Sequence, residues 1–276
     1  MRDNNRKSAW RPAMRAVCLV AFAAGAFAVV SAPASAEDIP AHCPISVATL
    51  GEAGQPTQEI STVAMERIGE TTAILLDTRP HEEFAMSHIP GALNVAPKPG
   101  LAMSQYTSDV AEIEKLTKGD KRRTIVLYCN GPFCGKSKRV AADLVAAGYT
   151  GVLRYQLGIP VWRALGHATQ SEAEAIRATL EKDKTAVVID AREAGAFQAG
   201  SLPGARNVRS AEVAKAKDDG RLPMLDHNTR IFVVGKDETE ARAAAQEIAK
   251  NAFHNVSFFA GPIEALMRIP SGSGSR

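Results

Sequence analysis

One pattern occurs twice in this chain, in a single register, at a constant offset of 113 residues. Ala73–Val95 and Ala186–Val208 align without a gap and agree at nine positions. Asp77 corresponds to Asp190, Arg79 to Arg192 and Phe84 to Phe197. Pro90-Gly91-Ala92 corresponds to Pro203-Gly204-Ala205, and Asn94-Val95 to Asn207-Val208. A length of 276 residues allows one large domain or two small ones. The repeat selects two units of the same build.

Each copy reads alike. An amphipathic helix comes first, and Ser171-x-x-Glu174 predicts a capping box at its start in the second copy. A short apolar run follows, Ala73–Leu76 or Ala186–Ile189, too short for a helix and suited to a buried parallel strand. Asp ends that strand, and a Pro-Gly turn leads to another short strand. A third apolar run, Thr124–Cys129 or Arg230–Gly235, feeds a helical pattern over Ser137–Ala147 or Glu238–Lys250. A last strand is predicted over Val152–Tyr155 or Val256–Phe259. Strands alternating with helices predict α/β units with a mostly parallel sheet flanked by helices. The expected domains are 58–167 and 168–270, with a lead-in over 37–57 and a loose Gly/Ser-rich tail over 271–276.

The first 36 residues read as an address. Arg2, Arg6, Lys7, Arg11 and Arg15 precede an unbroken run of small or apolar residues from Ala16 to Val30. Ala34-Ser35-Ala36 then supplies a small-x-small cleavage site. This is the three-part pattern of a secretory signal peptide, and the apolar run is short of the roughly 20 residues of a membrane span. The expectation is export to the periplasm. The overall charge of +3 resides in this segment. Without it the basic and acidic residues nearly balance, so no nucleic-acid footprint is visible. Composition, 45% hydrophobic and 23% charged, is that of a globular chain. Cys18 leaves with the signal, and Cys43, Cys129 and Cys134 remain. An odd count in an oxidising compartment leaves at least one thiol unpaired or reactive. No Cys/His spacing matches a metal site, and no cofactor is expected.

The chemistry is concentrated where the third strand of copy one ends, at Cys129-Asn-Gly-Pro-Phe-Cys134-Gly-Lys-Ser137. A strand, a loop of small residues and a helix start bring backbone N–H groups to one spot and favour an anion there. A thiolate is stabilised by the same field, so the thiol is expected to ionise below its free value of about 8.5. Gly131 and Gly135 let the backbone turn inward, and Lys136 adds positive charge. Asn130 and Ser137 complete the candidate binding loop.

These residues, with Leu76-Asp77-x-Arg79, Glu83-Phe84, His88-Ile-Pro-Gly-Ala92, Leu127-Tyr128-Cys129 and Gly158-Ile159-x-x-Trp162, make the chain resemble a tandem rhodanese, the thiosulfate sulfurtransferase type. The resemblance implies two rhodanese-like domains. It implies that Cys129 takes sulfur from an anionic donor such as thiosulfate, holds it as a persulfide and passes it to cyanide or a thiol. It implies that Asp77 and Arg79 pair behind the site. Copy two lacks the chemistry: Gly235 occupies the cysteine position in an acidic loop, and Ala196 and Ser201 replace Glu83 and His88. The cysteine therefore sits in the first domain, the reverse of the better-known tandem enzymes. The loop also departs from the family pattern Cys-x-x-Gly-x-Arg-Ser, with Lys136-Ser137 in place of Arg-Ser and two extra residues.

Cys134 stays open as a residue that resolves a persulfide or sulfenic acid on Cys129, as the nucleophile itself, or as half of a structural disulfide with Cys129. A P-loop is set aside, because Gly131-x-x-x-Gly135-Lys136-Ser137 is one residue short. A Cys-based phosphatase or arsenate reductase is weakened by the absence of an Arg in the loop. Trp162 reads as core, His81 and His88 as turn or surface residues, and Lys121-Arg122-Arg123 as a solvated connection. Three readings of the activity stand: a sulfurtransferase working on small donors and acceptors; a persulfide or redox carrier or binding module that acts with a protein partner through the second domain; and, ranked last, a phosphatase or arsenate reductase using Cys129 and Cys134.

Overall fold

A computed structural model of the chain describes residues 44–267, apart from 98 and 101–107, together with one two-residue strand, β1 (Val17–Cys18). The rest of the expected signal segment, Cys43 and the Gly/Ser-rich tail lie outside the described residues. β1 pairs antiparallel with β2 (Ala48–Thr49).

The first unit contains β3 (Gln58–Glu59), α1 (Thr62–Glu66), β4 (Ile74–Asp77), α2 (His81–Met86), β5 (Leu93–Asn94), α3 (Asp109–Thr117), β6 (Ile125–Tyr128), α4 (Gly135–Ala146), β7 (Val152–Tyr155) and α5 (Gly158–Ala164). Its sheet has the order β3-β7-β6-β4-β5, every pair parallel. The second unit repeats it with β8 (Thr169–Gln170), α6 (Ala173–Lys182), β9 (Val187–Asp190), α7 (Ala194–Ala199), β10 (Arg206–Asn207), α8 (Val213–Asp218), β11 (Ile231–Gly235), α9 (Glu238–Ala249), β12 (Val256–Pro262) and α10 (Ile263–Met267). There the order is β8-β12-β11-β9-β10, again parallel throughout.

The short apolar runs form strands because both of their faces are covered, as parallel sheets require. Along the central strands of the first unit, Leu75, Val126 and Tyr128 pack with Phe84, Ile159 and Trp162. The alternate residues Leu76, Ile125 and Leu127 pack with Ile113, Val140 and Leu144. The period of two thus assigns one face to α2 and α5 and the other to α3 and α4. In the second unit Ile189, Ile231 and Val233 face the Ala-rich side of α9, while Val188, Phe232 and Val234 face Ile176 and Leu266.

At the C-terminal end of the first strand of each repeat, an Asp binds an Arg two residues later. Arg79 Nε and Nη2 donate to Asp77 at 3.0 and 2.6 Å, and Nη2 also donates to the Ser87 carbonyl. Arg192 makes the same bonds to Asp190 and to the Gly200 carbonyl. Both carboxylates are fully buried. Burial works against ionised Asp190, but bonds from Arg192 and Ser201 outweigh it and hold its carboxyl below the usual range. Removing one partner of such a pair costs about 3–5 kcal/mol, because it strands a buried charge. The pairing expected behind the site is therefore present, and in both copies.

The two units meet through main chain. His88 and Gln170 form an antiparallel bridge, with each N–H donating to the other's carbonyl at 2.8 Å. Glu172 N–H donates to the Ala85 carbonyl, and Ser171 Oγ donates to the Met86 carbonyl at 2.5 Å. Two expectations fail at this junction. Ser171 caps no helix; its hydroxyl is spent on Met86 across the junction and on Ser257 of its own unit, and α6 starts after Glu172 without a side-chain cap. His88 is not a surface residue but only 1% exposed, because the second unit covers it. Its ring stacks on Phe84 with centroids 3.9 Å apart. The Phe84 carbonyl, 2.8 Å from Nδ1, can only accept, so Nδ1 carries the proton of a neutral ring.

Burial, with Arg79 nearby, pulls the pKa of His88 down to about 4 against the pull of Phe84 and Asp77. Its stabilising contribution is complete above the unfolded value near 6.5 and is lost as pH falls through about 4. Denaturant titrations of the wild type are expected to show unfolding free energy falling between these limits, by up to about 1.4 kcal/mol per pH unit from this group. His88→Gln removes that component. Identical pH slopes in the two proteins would refute it.

Candidate active site

Cys129 follows directly on β6, the central strand of the first sheet, and is 3% exposed. Such a position, just past the carboxyl end of a parallel strand, is where open α/β sheets place their ligands. The chain then turns: Gly131 takes φ +93°, and the Cys134 N–H donates to the Gly131 carbonyl at 3.0 Å. Cys134 is the N-cap of α4, its side chain makes no capping bond, and its Cα lies 6.1 Å from that of Cys129. The two cysteines are joined as a disulfide. Among the open possibilities for Cys134, direct pairing with Cys129 is therefore realised.

The loop is held from three sides. Gly158, at the start of α5 with φ +65°, lies against its backbone so closely that a Cβ there would stand 2.3 Å from the Cys129 carbonyl oxygen and 2.5 Å from Gly131 N. Ile159 N–H donates to that same carbonyl at 3.2 Å. Gln156 Nε2 donates to the Pro132 carbonyl, and Asn130 Nδ2 donates to Glu83 Oε2 at 2.6 Å. The loop tip stands in solvent, with Phe133 94% exposed. Gly158 appears in the sequence only as part of a motif; its close approach becomes visible when the first turn of α5 is placed under the cysteine.

The predicted binding residues divide. Gly131, Gly135 and buried Ser137 are brought together around the start of α4. Among the described residues no side chain caps this twelve-residue helix, and first-turn amides of a helix are donors suited to an anion. Lys136, expected to add positive charge to the site, lies in the first turn of α4. Its Nζ lies 3.9 Å from Asp109 and 3.4 Å from the Val95 carbonyl, because α3 packs beside α4 and offers a carboxylate there.

The second unit shows the same strand, loop and helix with the anion position filled by its own side chains. Asp237 accepts from Glu240 N–H at 2.9 Å as the N-cap of α9, and Glu240 Oε2 accepts from Lys236 N–H at 2.8 Å. A Cβ on Gly235 would stand 2.9 Å from the Ala241 nitrogen and 3.2 Å from Glu240 Oε2. The loop predicted to repel a sulfur oxyanion thus has carboxylates of its own on two of its N–H groups.

Beside the cysteine loop, a cleft of about 400 Å³ is lined by Asn130, Glu82, Glu83, Arg79, Arg163 and, from the second unit, Arg230. Burial, together with the facing guanidiniums of Arg79 and Arg230, pulls the pKa of Arg163 down to about 10. Its Nη2 donates to Ser87 Oγ, while its buried Nε has no partner. A larger cavity of about 830 Å³ lies in the second unit around Arg177, Lys184 and Arg206, away from either cysteine. Among the described residues no His/Cys/Asp/Glu cluster is arranged to hold a metal, and no helix is long and apolar enough to cross a membrane.

The family model described as Rhodanese-like domain matches residues 62–165 and again 172–268. An HTH-type transcriptional regulator of Mycobacterium tuberculosis is 34% identical over 128 residues, 44% of this chain and 49% of the regulator. The chain thus spans about half the length of that curated relative. Among solved structures, a thiosulfate sulfurtransferase from Pseudomonas aeruginosa is 21% identical over 73% of this chain and 40% of its own, with a TM-score of 0.31. The rhodanese-like domain of an Anabaena protein is 22% identical over 44% of this chain and 83% of its own, with a TM-score of 0.33. Overlaps this loose carry no functional argument.

The contact beneath the loop generates a prediction. Gly158→Ala is expected to lower the unfolding free energy by about 1–3 kcal/mol through forced backbone displacement. Gly195→Ala, inside α7 with open space at its Cβ and no positive φ, is expected to raise it by up to about 1 kcal/mol. Urea denaturation of both variants checks the pair. A Gly158→Ala protein as stable as wild type would contradict the packing described.

Proposed function

The chain belongs to the rhodanese-like family, and on that premise we propose that it is a sulfurtransferase whose nucleophile is Cys129. The observation that carries this reading is the contrast between the two loops. One places a cysteine beside open first-turn amides, and the other fills the same position with Asp237 and Glu240. A site so built favours a negatively charged sulfur species over a neutral one.

In the reduced protein the Cys129 thiolate attacks the outer sulfur of thiosulfate or a similar donor. The S–S bond of the donor breaks, sulfite leaves with the bonding pair, and the enzyme holds the outer sulfur as a persulfide. The persulfide then passes its terminal sulfur to cyanide or a thiol, so the cycle is ping-pong. The amides of Gly131, Gly135 and Ser137 orient the donor and the persulfide, while Asn130 tethers the loop to Glu83. Asp77 and Arg79 act at a distance by fixing the end of β4. The proposed catalytic unit is 58–167. The unit at 168–270 covers one wall of the cleft and takes no part in the covalent steps. The N-terminal segment supports export to the periplasm, where the donor and acceptor would be met.

Intact mass after reduction and exposure to thiosulfate, with released sulfite assayed, tests the assignment. Wild type is expected to release sulfite and Cys129→Ser to release at least a hundredfold less, in line with loss of a covalent nucleophile. Full sulfite release from Cys129→Ser would refute it, and loss in Cys134→Ser alone would move the nucleophile along the loop.

A further inference from the structure

We propose that the paired cysteines make this site a reductase of sulfane sulfur, which discharges the persulfide internally as hydrosulfide and is recycled by an external dithiol. The inference rests on Cys129 as the sulfur-accepting nucleophile and goes beyond it in assigning Cys134 a step of its own. Its basis is the direct Cys129–Cys134 bond, made within the loop that would bind the donor.

A thiol able to bond to Cys129 Sγ in the folded protein is also placed to attack that sulfur when it carries a persulfide. Cys134 is the N-cap of α4, where the helix start favours its thiolate. Attack forms the Cys129–Cys134 bond and breaks the bond from Cys129 to the terminal sulfur, which leaves with the electron pair as hydrosulfide. Hydrosulfide is a good leaving group because its conjugate acid is more acidic than an alkyl thiol, and exchange speeds up as the leaving thiol becomes more acidic. The sulfane sulfur is thereby reduced by two electrons, and two cysteine thiols are oxidised to one disulfide.

The balance then requires a reductant, and the exposure pattern indicates how a dithiol supplies it. Cys129 is buried, whereas Cys134 is partly exposed on a loop whose tip stands in solvent. An incoming thiolate therefore reaches the Cys134 sulfur first and forms a mixed disulfide there. The group expelled is the Cys129 thiolate, already seated in its loop. The second thiol of the dithiol then releases Cys134 and leaves as a disulfide. The sum converts thiosulfate and a dithiol into sulfite, hydrogen sulfide and the oxidised dithiol.

The test is a single turnover of the reduced mature protein with thiosulfate and no added thiol. Sulfite and sulfide are both assayed, and any bound sulfur is located by peptide mass. Wild type is expected to release one sulfite and one sulfide per molecule and to finish as the Cys129–Cys134 disulfide, with repeated turnover restored by dithiothreitol. Cys134→Ser is expected to release sulfite and stop as the Cys129 persulfide, without sulfide. A wild-type protein that releases sulfite yet keeps a stable persulfide would overturn the inference and leave the sulfurtransferase reading intact. Sulfide from Cys134→Ser at the wild-type level would overturn it as well. Absence of both products from wild type would overturn the sulfurtransferase reading and this inference with it.

Discussion

A helix that begins without a side-chain cap presents N–H groups and a positive dipole end that favour an anion at its start. Among the described residues no side chain caps α4, and the residue at the cap position is Cys134. In the second unit, Asp237 caps α9 by accepting from the Glu240 N–H, and the Glu240 carboxylate accepts from the Lys236 N–H in the loop before it. The fold is the same in both places, so the difference between an open site and a closed one lies in which residues satisfy a few N–H groups. An anionic sulfur donor, a persulfide and a cysteine thiolate are all species that such an unfilled position favours.

Keeping that position open has structural consequences around it. Buried Asp–Arg pairs tie down the strand ends in both units, so the framework does not depend on the chemistry of either loop. Beneath the cysteine loop, Gly158 brings the backbone of α5 into direct contact with Cys129 and Gly131, which leaves the loop little freedom to collapse onto the helix. The second unit contributes Arg230 to the cleft and buries His88, so it shapes the surroundings of the site although its own loop is closed.

The repeat was legible because its signals are local. An Asp–x–Arg at a strand end makes its pair within three residues, and a short apolar run between turns can bury both faces only in a covered sheet. The strand at Val152–Tyr155 falls where its apolar pattern placed it. The open loop was legible for the same reason, since strand, glycines and helix start are contiguous. What escaped depends on contacts between distant segments. His88 is buried by a unit whose nearest strand starts some eighty residues later, and Ser171 spends its hydroxyl across that junction. Lys136 turns to Asp109 on a neighbouring helix. Gly158 is marked in the sequence as part of a motif, but why a glycine stands there is visible only in the approach of α5 to the cysteine loop.

Sulfur transfer at this site requires that the field of the loop outweigh the burial of Cys129. Ultraviolet thiolate absorbance, followed against pH in the reduced Cys134→Ser protein with Cys129→Ser/Cys134→Ser as the blank, reads that balance. The Cys129 thiolate is expected to form with a midpoint below the free-thiol value of about 8.5. A midpoint at or above that value would mean that burial dominates and that the open amides do not act on the sulfur, which would contradict the central claim.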